Sequence, residues 1–193
     1  RHITYVFSGS ERRLLQEMFE QPDRPLYRHC EKMSLSRIDA AHYVSFFRKA
    51  SRARWQTDFP DAVADRVLDL TRRHPYYVNA LCSRLWERTD VPAADDVDPV
   101  WAKIAEQDEP VVSHIVRNLS ATQRAMLVGI ALNGRVAYPT GREFLHSVRL
   151  STSTGAAARD VLEQQDLIRQ DEAHWELVDP VMAHYILRSH RID

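Results

Sequence analysis

Arg72, Arg73 and His74 stand directly before Pro75 in the stretch RRHPYYVN, and Tyr76 and Tyr77 stand directly after it. Three cation-capable side chains in a row have little use in a buried core, and two adjacent aromatics have little use in a solvated loop. A helix start reconciles them. Pro75 at the first helical position fixes the backbone of the opening turn, whose unpaired N–H groups and partial positive charge favour an anion. His74, just outside, can donate to a phosphate oxygen or stack on a base, and Arg72 and Arg73 add charge. The chemistry this spacing suits is phosphate binding, a nucleotide phosphate first. The plain alternative is that His-Pro ends one helix and begins another with both arginines solvated, and on these residues alone the plain reading is preferred. Tyr76 and Tyr77 read as packing residues rather than base stackers.

Other constellations offer less. The 9 histidines are scattered, and His42, His114, His146, His174 and His184 show no paired metal-ligand spacing. His29 and Cys30 are neighbours, but adjacent side chains on a strand point to opposite faces, which argues against a Cys-His hydrolase. Ser113-His114 has no positioned carboxylate to complete a triad. With 5 glycines and no G-x-x-x-x-G-K-[ST], the chain holds no phosphate loop of its own. The 2 cysteines give no disulfide framework and fit a reducing, cytoplasmic compartment. No apolar run approaches the roughly 20 residues needed to cross a bilayer, so no membrane is expected as a partner. A formal net charge of -1 means that any nucleic-acid site must be local.

Stepping along the chain, Ile3, Tyr5, Val6 and Phe7 form the β-branched and aromatic run of a strand buried on both faces, ending at Ser8. Such a strand needs neighbours on each side, and the chain offers one more candidate, around Glu31 to Leu35. Residues 1–38 are therefore expected to be the C-terminal remnant of an α/β core, and the chain a C-terminal piece of a longer protein. Ser10 is a candidate N-cap for a helix carrying Leu14, Leu15, Met18 and Phe19.

Residues 39–118 read as a helical bundle. Ala40, Val44 and Phe47 line a first helix; Pro60, Val63, Val67 and Leu70 a second; Pro75, Val78, Leu81 and Leu85 a third. The proline- and acid-rich DVPAADDVDP is expected to be a linker, with helix resuming from Val100 toward Leu119. Residues 119–193 change character. Ser120 and Gln123 have capping-box spacing, Asn133-Gly134 stops that helix, and helices follow at Arg142–Val148 and from about Thr152 to Gln165. A hairpin across Asp171–Ala173 and a closing helix from Pro180 complete the order of a winged helix-turn-helix domain.

YVFSGSERRLLQEMFEQPDRPLYRH, LDLTRRHPYYVNALCSRLW, LSATQRAMLVGIALNG and LIRQDEAHWELVDPVMAHYIL follow one another in order. Together they resemble the C-terminal half of the STAND-type P-loop ATPases, in the archaeal-type ATPase branch of the AAA+ superfamily. The resemblance implies a mainly α fold: the end of an α/β ATPase core, a helical lid bundle, then a winged helix with a small β-hairpin. It implies ATP with Mg as the cofactor, bound mainly by a core upstream of this chain. The first strand would carry the sensor position, so that Ser8 or Ser10 hydrogen-bonds the γ-phosphate or the attacking water; an N-cap serine is the equal alternative. His74 and Pro75 would match the lid motif that sits against the nucleotide, and Arg73 stands where many relatives have glycine. Arg12 or Arg13 could act in trans as an arginine finger in a homo-oligomer, although a solvated helix face is the preferred reading.

Three functions compete. The first is the nucleotide-sensing part of an ATP switch, whose partners are its own ATPase core or another protein, and which is itself inactive because it lacks Walker A and B. The second is a winged-helix DNA-binding transcriptional regulator with a helical dimerisation region. Its contacts would be Thr152, Thr154, Arg159 and Arg169, with Arg142 and Arg149 nearby. Asp160, Glu163, Asp166, Asp171 and Glu172 oppose a phosphate backbone on the same elements, where a dedicated DNA reader carries a basic face. The third is a pure protein-interaction module.

Overall fold

The computed structural model describes residues 5–9, 12–31, 33, 36–171 and 173–190, and the chain falls into two units, Arg1–Leu35 and Ser36–Asp193. In the first unit, α1 (Arg12–Glu20) is followed by tight turns in which the Arg28 N–H donates to Phe19 O at 3.1 Å. Phe7 packs on Phe19 with ring centroids 5.3 Å apart. The described part of the expected first strand forms no ladder. Ile3 and Ser10 lie outside the described residues, and Tyr5 to Gly9 carry no strand pairing, with Tyr5 and Val6 exposed. Of the second expected strand, Glu31 and Met33 carry no strand pairing, and Lys32, Ser34 and Leu35 lie outside the described residues. The physical reason is that β-propensity measures fit to a paired, half-buried surface, and without a ladder partner it produces no strand.

The second unit holds α2 (Ala40–Trp55), α3 (Asp61–Thr71), α4 (Pro75–Trp86), α5 (Ala94–Asn118), α6 (Ala121–Asn133), α7 (Arg142–Ser147), α8 (Thr152–Gln164), β1 (Ile168–Asp171), β2 (His174–Leu177) and α9 (Pro180–His190). The apolar periodicities bury the expected faces: Phe47 on α2, Val63 and Val67 on α3, Val78, Leu81 and Leu85 on α4. Each such side chain contributes about 1.5–3 kcal/mol. Phe47, Phe59 and Trp86 form one aromatic cluster, with Phe59 stacked on Trp86 at 4.9 Å.

The expected linker is shorter than its composition suggests. Helix α5 begins at Ala94 and runs through Pro99 and Pro110. Asp96 accepts a hydrogen bond from the Ala93 N–H at 2.8 Å, half of a capping box. A proline inside a helix costs about 3 kcal/mol; complete burial of Val97 and Trp101 on either side of Pro99 offsets it. Tertiary packing overrides the local breaker.

In residues 119–190 the elements fall as the sequence indicates. Ser120 and Gln123 make both bonds of the capping box, at 3.3 and 2.9 Å, and α6 buries Met126, Leu127, Ile130 and Ala131. The hairpin pairs Ile168 with Leu177, Arg169 with Glu176, Gln170 with Trp175 and Asp171 with His174. One further bridge, not legible in the sequence, joins Val136 to Trp175 through bonds of 2.9 and 2.7 Å. Helix α9 then lies against α5 and α3, so that bundle and winged helix share one core. Trp101 sits in that seam, edge-on to Tyr77 at 5.6 Å and to His184 at 6.2 Å.

Helices α7 and α8 meet at Gly155, where an added Cβ would lie 2.3 Å from Leu145 Cδ2. Leu145 is itself buried and has little room to retreat. Gly155→Ala is expected to destabilise the fold by about 1–3 kcal/mol, read as a lower urea midpoint at unchanged m-value.

Candidate anion-binding site

Helix α3 ends in a turn that its sequence, TRRHP, does not advertise. The Arg73 N–H reaches back to Leu68 O and the Arg72 N–H to Asp69 O, both at 3.1 Å. These are the two bonds of a Schellman closure, in which the residue after the helix is usually glycine. Here both Arg72 (φ 47) and Arg73 (φ 55) take the left-handed conformation, at roughly 1–2 kcal/mol each. The expectation that Arg73 replaces a glycine of many relatives thus falls on a backbone that glycine adopts without penalty. His74 follows in the extended region as N-cap, with no capping bond from its side chain, and Pro75 opens α4.

This turn aims two arginines at the hairpin. Arg73 is the looser of them, with 31% of its side chain exposed and Asp39 and Asp171 both at 3.9 Å. Arg72 is partly buried and donates to Gly134 O at 3.4 Å; burial pushes its pKa down, against the pull of Glu176 and Asp69. From the hairpin side, Arg169 donates twice to Glu176, at 3.1 and 2.6 Å. Arg135 bonds Asp171 at 3.2 Å and lies 3.8 Å from Glu176. Arg37 donates to Val178 O at 2.9 Å, while its Nε is buried without a hydrogen-bond partner. Burial and the neighbouring Arg169 lower its pKa to about 10.

Five guanidinium groups (Arg37, Arg72, Arg73, Arg135, Arg169) therefore face four carboxylates (Asp39, Asp69, Asp171, Glu176), an excess of one positive charge. His74 belongs to the same field. Burial first, then Arg37 and Arg169, lower its pKa to about 4, so its imidazole is neutral at pH 7. Its Nδ1 is buried without a partner, and its ring stands edge-on to Tyr77 at 5.2 Å. The Tyr43 hydroxyl is buried and unpartnered too, with Arg37 and Arg73 pulling its pKa down against the stronger effect of burial. Such an array can bind an oxyanion: its donors are fixed, partly dehydrated and in charge excess.

The remaining expected site residues lie elsewhere. Ser8 is exposed in the first unit, Ser10 lies outside the described residues, and so do the side chains of Arg12 and Arg13. Thr152 is exposed at the start of α8, whereas the Thr154 hydroxyl and N–H both engage Ser151, at 2.8 and 3.3 Å. Arg159 lies over the Trp175 ring at 5.5 Å and pairs with Asp160. Arg169, grouped with these by its sequence position, sits in the arginine cluster. Sequence reasoning missed Arg37, Arg135 and Glu176. For Glu176 a signal existed: a carboxylate between Trp175 and Leu177 in β2, placed opposite Arg169 by the hairpin register. It missed also the cap of α9, where Asp179 accepts from the Val181 N–H at 2.7 Å and faces the Tyr77 hydroxyl at 3.5 Å. Among the described residues no group of three His, Cys, Asp or Glu side chains could hold a metal.

Comparison with known proteins agrees with this architecture. Residues 111–188 match the family described as a probable winged helix domain. The structure is similar to that of a Walker-type ATPase of Pyrococcus abyssi, with a TM-score of 0.61 and 16% sequence identity over 93% of this chain. The likeness is one of fold, and this chain spans about half of that protein, 51% of its length. No curated protein matches. Together the two findings fit a mainly helical fold that carries a winged helix domain.

Two measurements probe the site. Because the folded His74 binds its proton only near pH 4, it is unprotonated where the unfolded chain, with a pKa near 6.5, is already charged. The stability it contributes is complete above about pH 6.5 and is lost as pH falls toward 4. His184, also lowered by burial, adds a slope of the same sign, so the test is a difference: His74→Gln should flatten the pH dependence of the urea midpoint between 6.5 and 4 without abolishing it. Glu176→Gln, by contrast, leaves Arg169 and Arg135 facing a buried neutral amide. A loss of about 3 kcal/mol is expected from the same denaturation series at pH 7.

Proposed function

We propose that this chain is the nucleotide-sensing lid and winged-helix portion of an ATP-binding switch of the STAND/AAA+ kind, which couples the state of a bound nucleotide to intramolecular or partner contacts. The observation that carries the reading is the turn at Arg72 and Arg73, which holds two guanidiniums and His74 at the start of α4 in a field of excess positive charge. A phosphate group is the ligand whose charge and geometry suit that field. Fold likeness to a Walker-type ATPase and the winged helix match support the same assignment. Mg-ATP would be held mainly by a nucleotide-binding core that this chain does not contain, with His74, Arg73 and the Pro75 helix start reading its phosphates and Ser8 or Ser10 the γ-phosphate. Loss of the γ-phosphate would then change which state of α2–α4 is favoured. The partners are that core and, through the winged helix, another protein or another copy, in the cytoplasm.

The arrangement gives less support to DNA reading. Arg159 and Arg169 are engaged with Asp160, Trp175 and Glu176, and the Thr154 hydroxyl serves the α8 cap. The reading is tested on the full-length gene product. It should bind ATP in a Mg-dependent manner, and His74→Ala should weaken ATP at least about tenfold, the effect of one lost charge-assisted hydrogen bond. Undiminished ATP affinity in His74→Ala, together with salt-dependent binding to duplex DNA, would overturn it in favour of a regulator.

A further inference from the structure

The arginine cluster is occupied unevenly. Glu176 is buried and takes two short bonds from Arg169, as a committed structural pair does. Asp171, at the hairpin end of β1, is shared among Arg135 at 3.2 Å, Arg169 at 3.8 Å and Arg73 at 3.9 Å. Only the first of these is a hydrogen bond; a pair at 3.9 Å is a charge contact and nothing more. On the other side of the same field, Arg37 Nε and His74 Nδ1 are buried with no partner. Two buried nitrogens stay unpaired while the Asp171 carboxylate is stretched over three cations.

We propose that the Asp171 carboxylate is an internal stand-in for a phosphate-class oxyanion: such an anion binds Arg73, Arg37 and His74 in its place and loosens the hold of the hairpin on the start of α4. Three features of the cluster support it. The guanidiniums outnumber the carboxylates, so an incoming anion meets net positive charge even before Asp171 leaves. A tetrahedral oxyanion offers more acceptor sites than one carboxylate and can accept from Arg37 Nε and, when the imidazole carries a proton on Nδ1, from His74 as well. The left-handed backbone at Arg72 and Arg73 persists only because its surroundings fix it, which is how strained turns hold a side chain ready for a ligand. The hairpin is thus a competitor for the site that it covers. The displacement rests on the phosphate-reading role proposed above for Arg73 and His74, and is a property of the 193-residue chain whichever nucleotide the whole protein binds.

The test titrates this chain with inorganic pyrophosphate at constant ionic strength, with chloride as the matched control. Saturable binding is expected, with the His74 imidazole titrating at higher pH in the bound state and faster amide exchange at Val136 and Trp175, whose mutual bonds anchor the hairpin. Arg73→Gly, which keeps the left-handed backbone while removing the guanidinium, should weaken pyrophosphate at least about tenfold. Asp171→Asn should bind it several-fold more tightly and show the faster exchange without any anion. Absence of saturable binding in both the wild type and Asp171→Asn overturns the site. Binding that leaves exchange at Val136 and Trp175 unchanged overturns the displacement. ATP binding by the full-length protein that depends on His74, with no pyrophosphate response here, would sink this inference while leaving the proposed function intact; a full pyrophosphate response with no ATP binding would do the reverse.

Discussion

A carboxylate inside a small hairpin governs the arrangement of charge in this protein. Glu176 is one of few buried polar side chains among the described residues, and it is tolerable there because Arg169 meets it with two hydrogen bonds from the facing strand while Arg135 lies close by. Removing a charge from water costs several kcal/mol unless it is paired. That pairing fixes the register of β1 on β2, since a slip of one residue would turn Arg169 away from Glu176. With the register fixed, Asp171 is carried to the hairpin end, and there it meets Arg73 and Arg135.

The opposite wall of the cluster has a different origin. Helix α3 stops at Thr71 because two consecutive residues leave the right-handed region, and the bonds to Leu68 and Asp69 close the helix as a glycine would. Arginine in that conformation is strained, and the strain is compensated only where its side chain finds partners. Arg72 finds burial and Gly134 O; Arg73 finds two distant carboxylates. Each half of the cluster therefore depends on the other: the turn supplies direction, and the hairpin supplies charge.

Both halves are kept in place by the seam between bundle and winged helix. Helix α9 packs against α5 and α3, with Trp101 between Tyr77 and His184. Tyr77 follows Pro75 by one turn-sharing pair of residues, and its hydroxyl donates to Asp108 at 3.2 Å; burial and the two nearby carboxylates, Asp179 and Asp108, push its pKa up. The start of α4 is thus anchored to the core through its buried tyrosine while His74 faces the cluster. A rigid anchor beside a partly unsatisfied site is what a ligand-responsive junction needs.

The amino-acid order was sufficient for the helices of residues 40–190, the capping box at Ser120 and Gln123, the hairpin, and Pro75 as the first residue of a helix. Those features follow from periodicity, capping and proline geometry, which act over a few residues. The tertiary structure alone decided the rest. Pro99 reads as a break until the burial of Val97 and Trp101 is known, and Tyr5 to Ser8 read as part of a strand although no described residue pairs with them. The cluster itself joins Arg37, Arg72, Arg73, Arg135, Arg169, Asp171 and Glu176 from segments far apart in the chain. Local sequence states which side chains carry charge; only the packing of a shared core states which of those charges meet, because Coulombic and hydrogen-bond energies depend on distance and burial rather than on order along the chain.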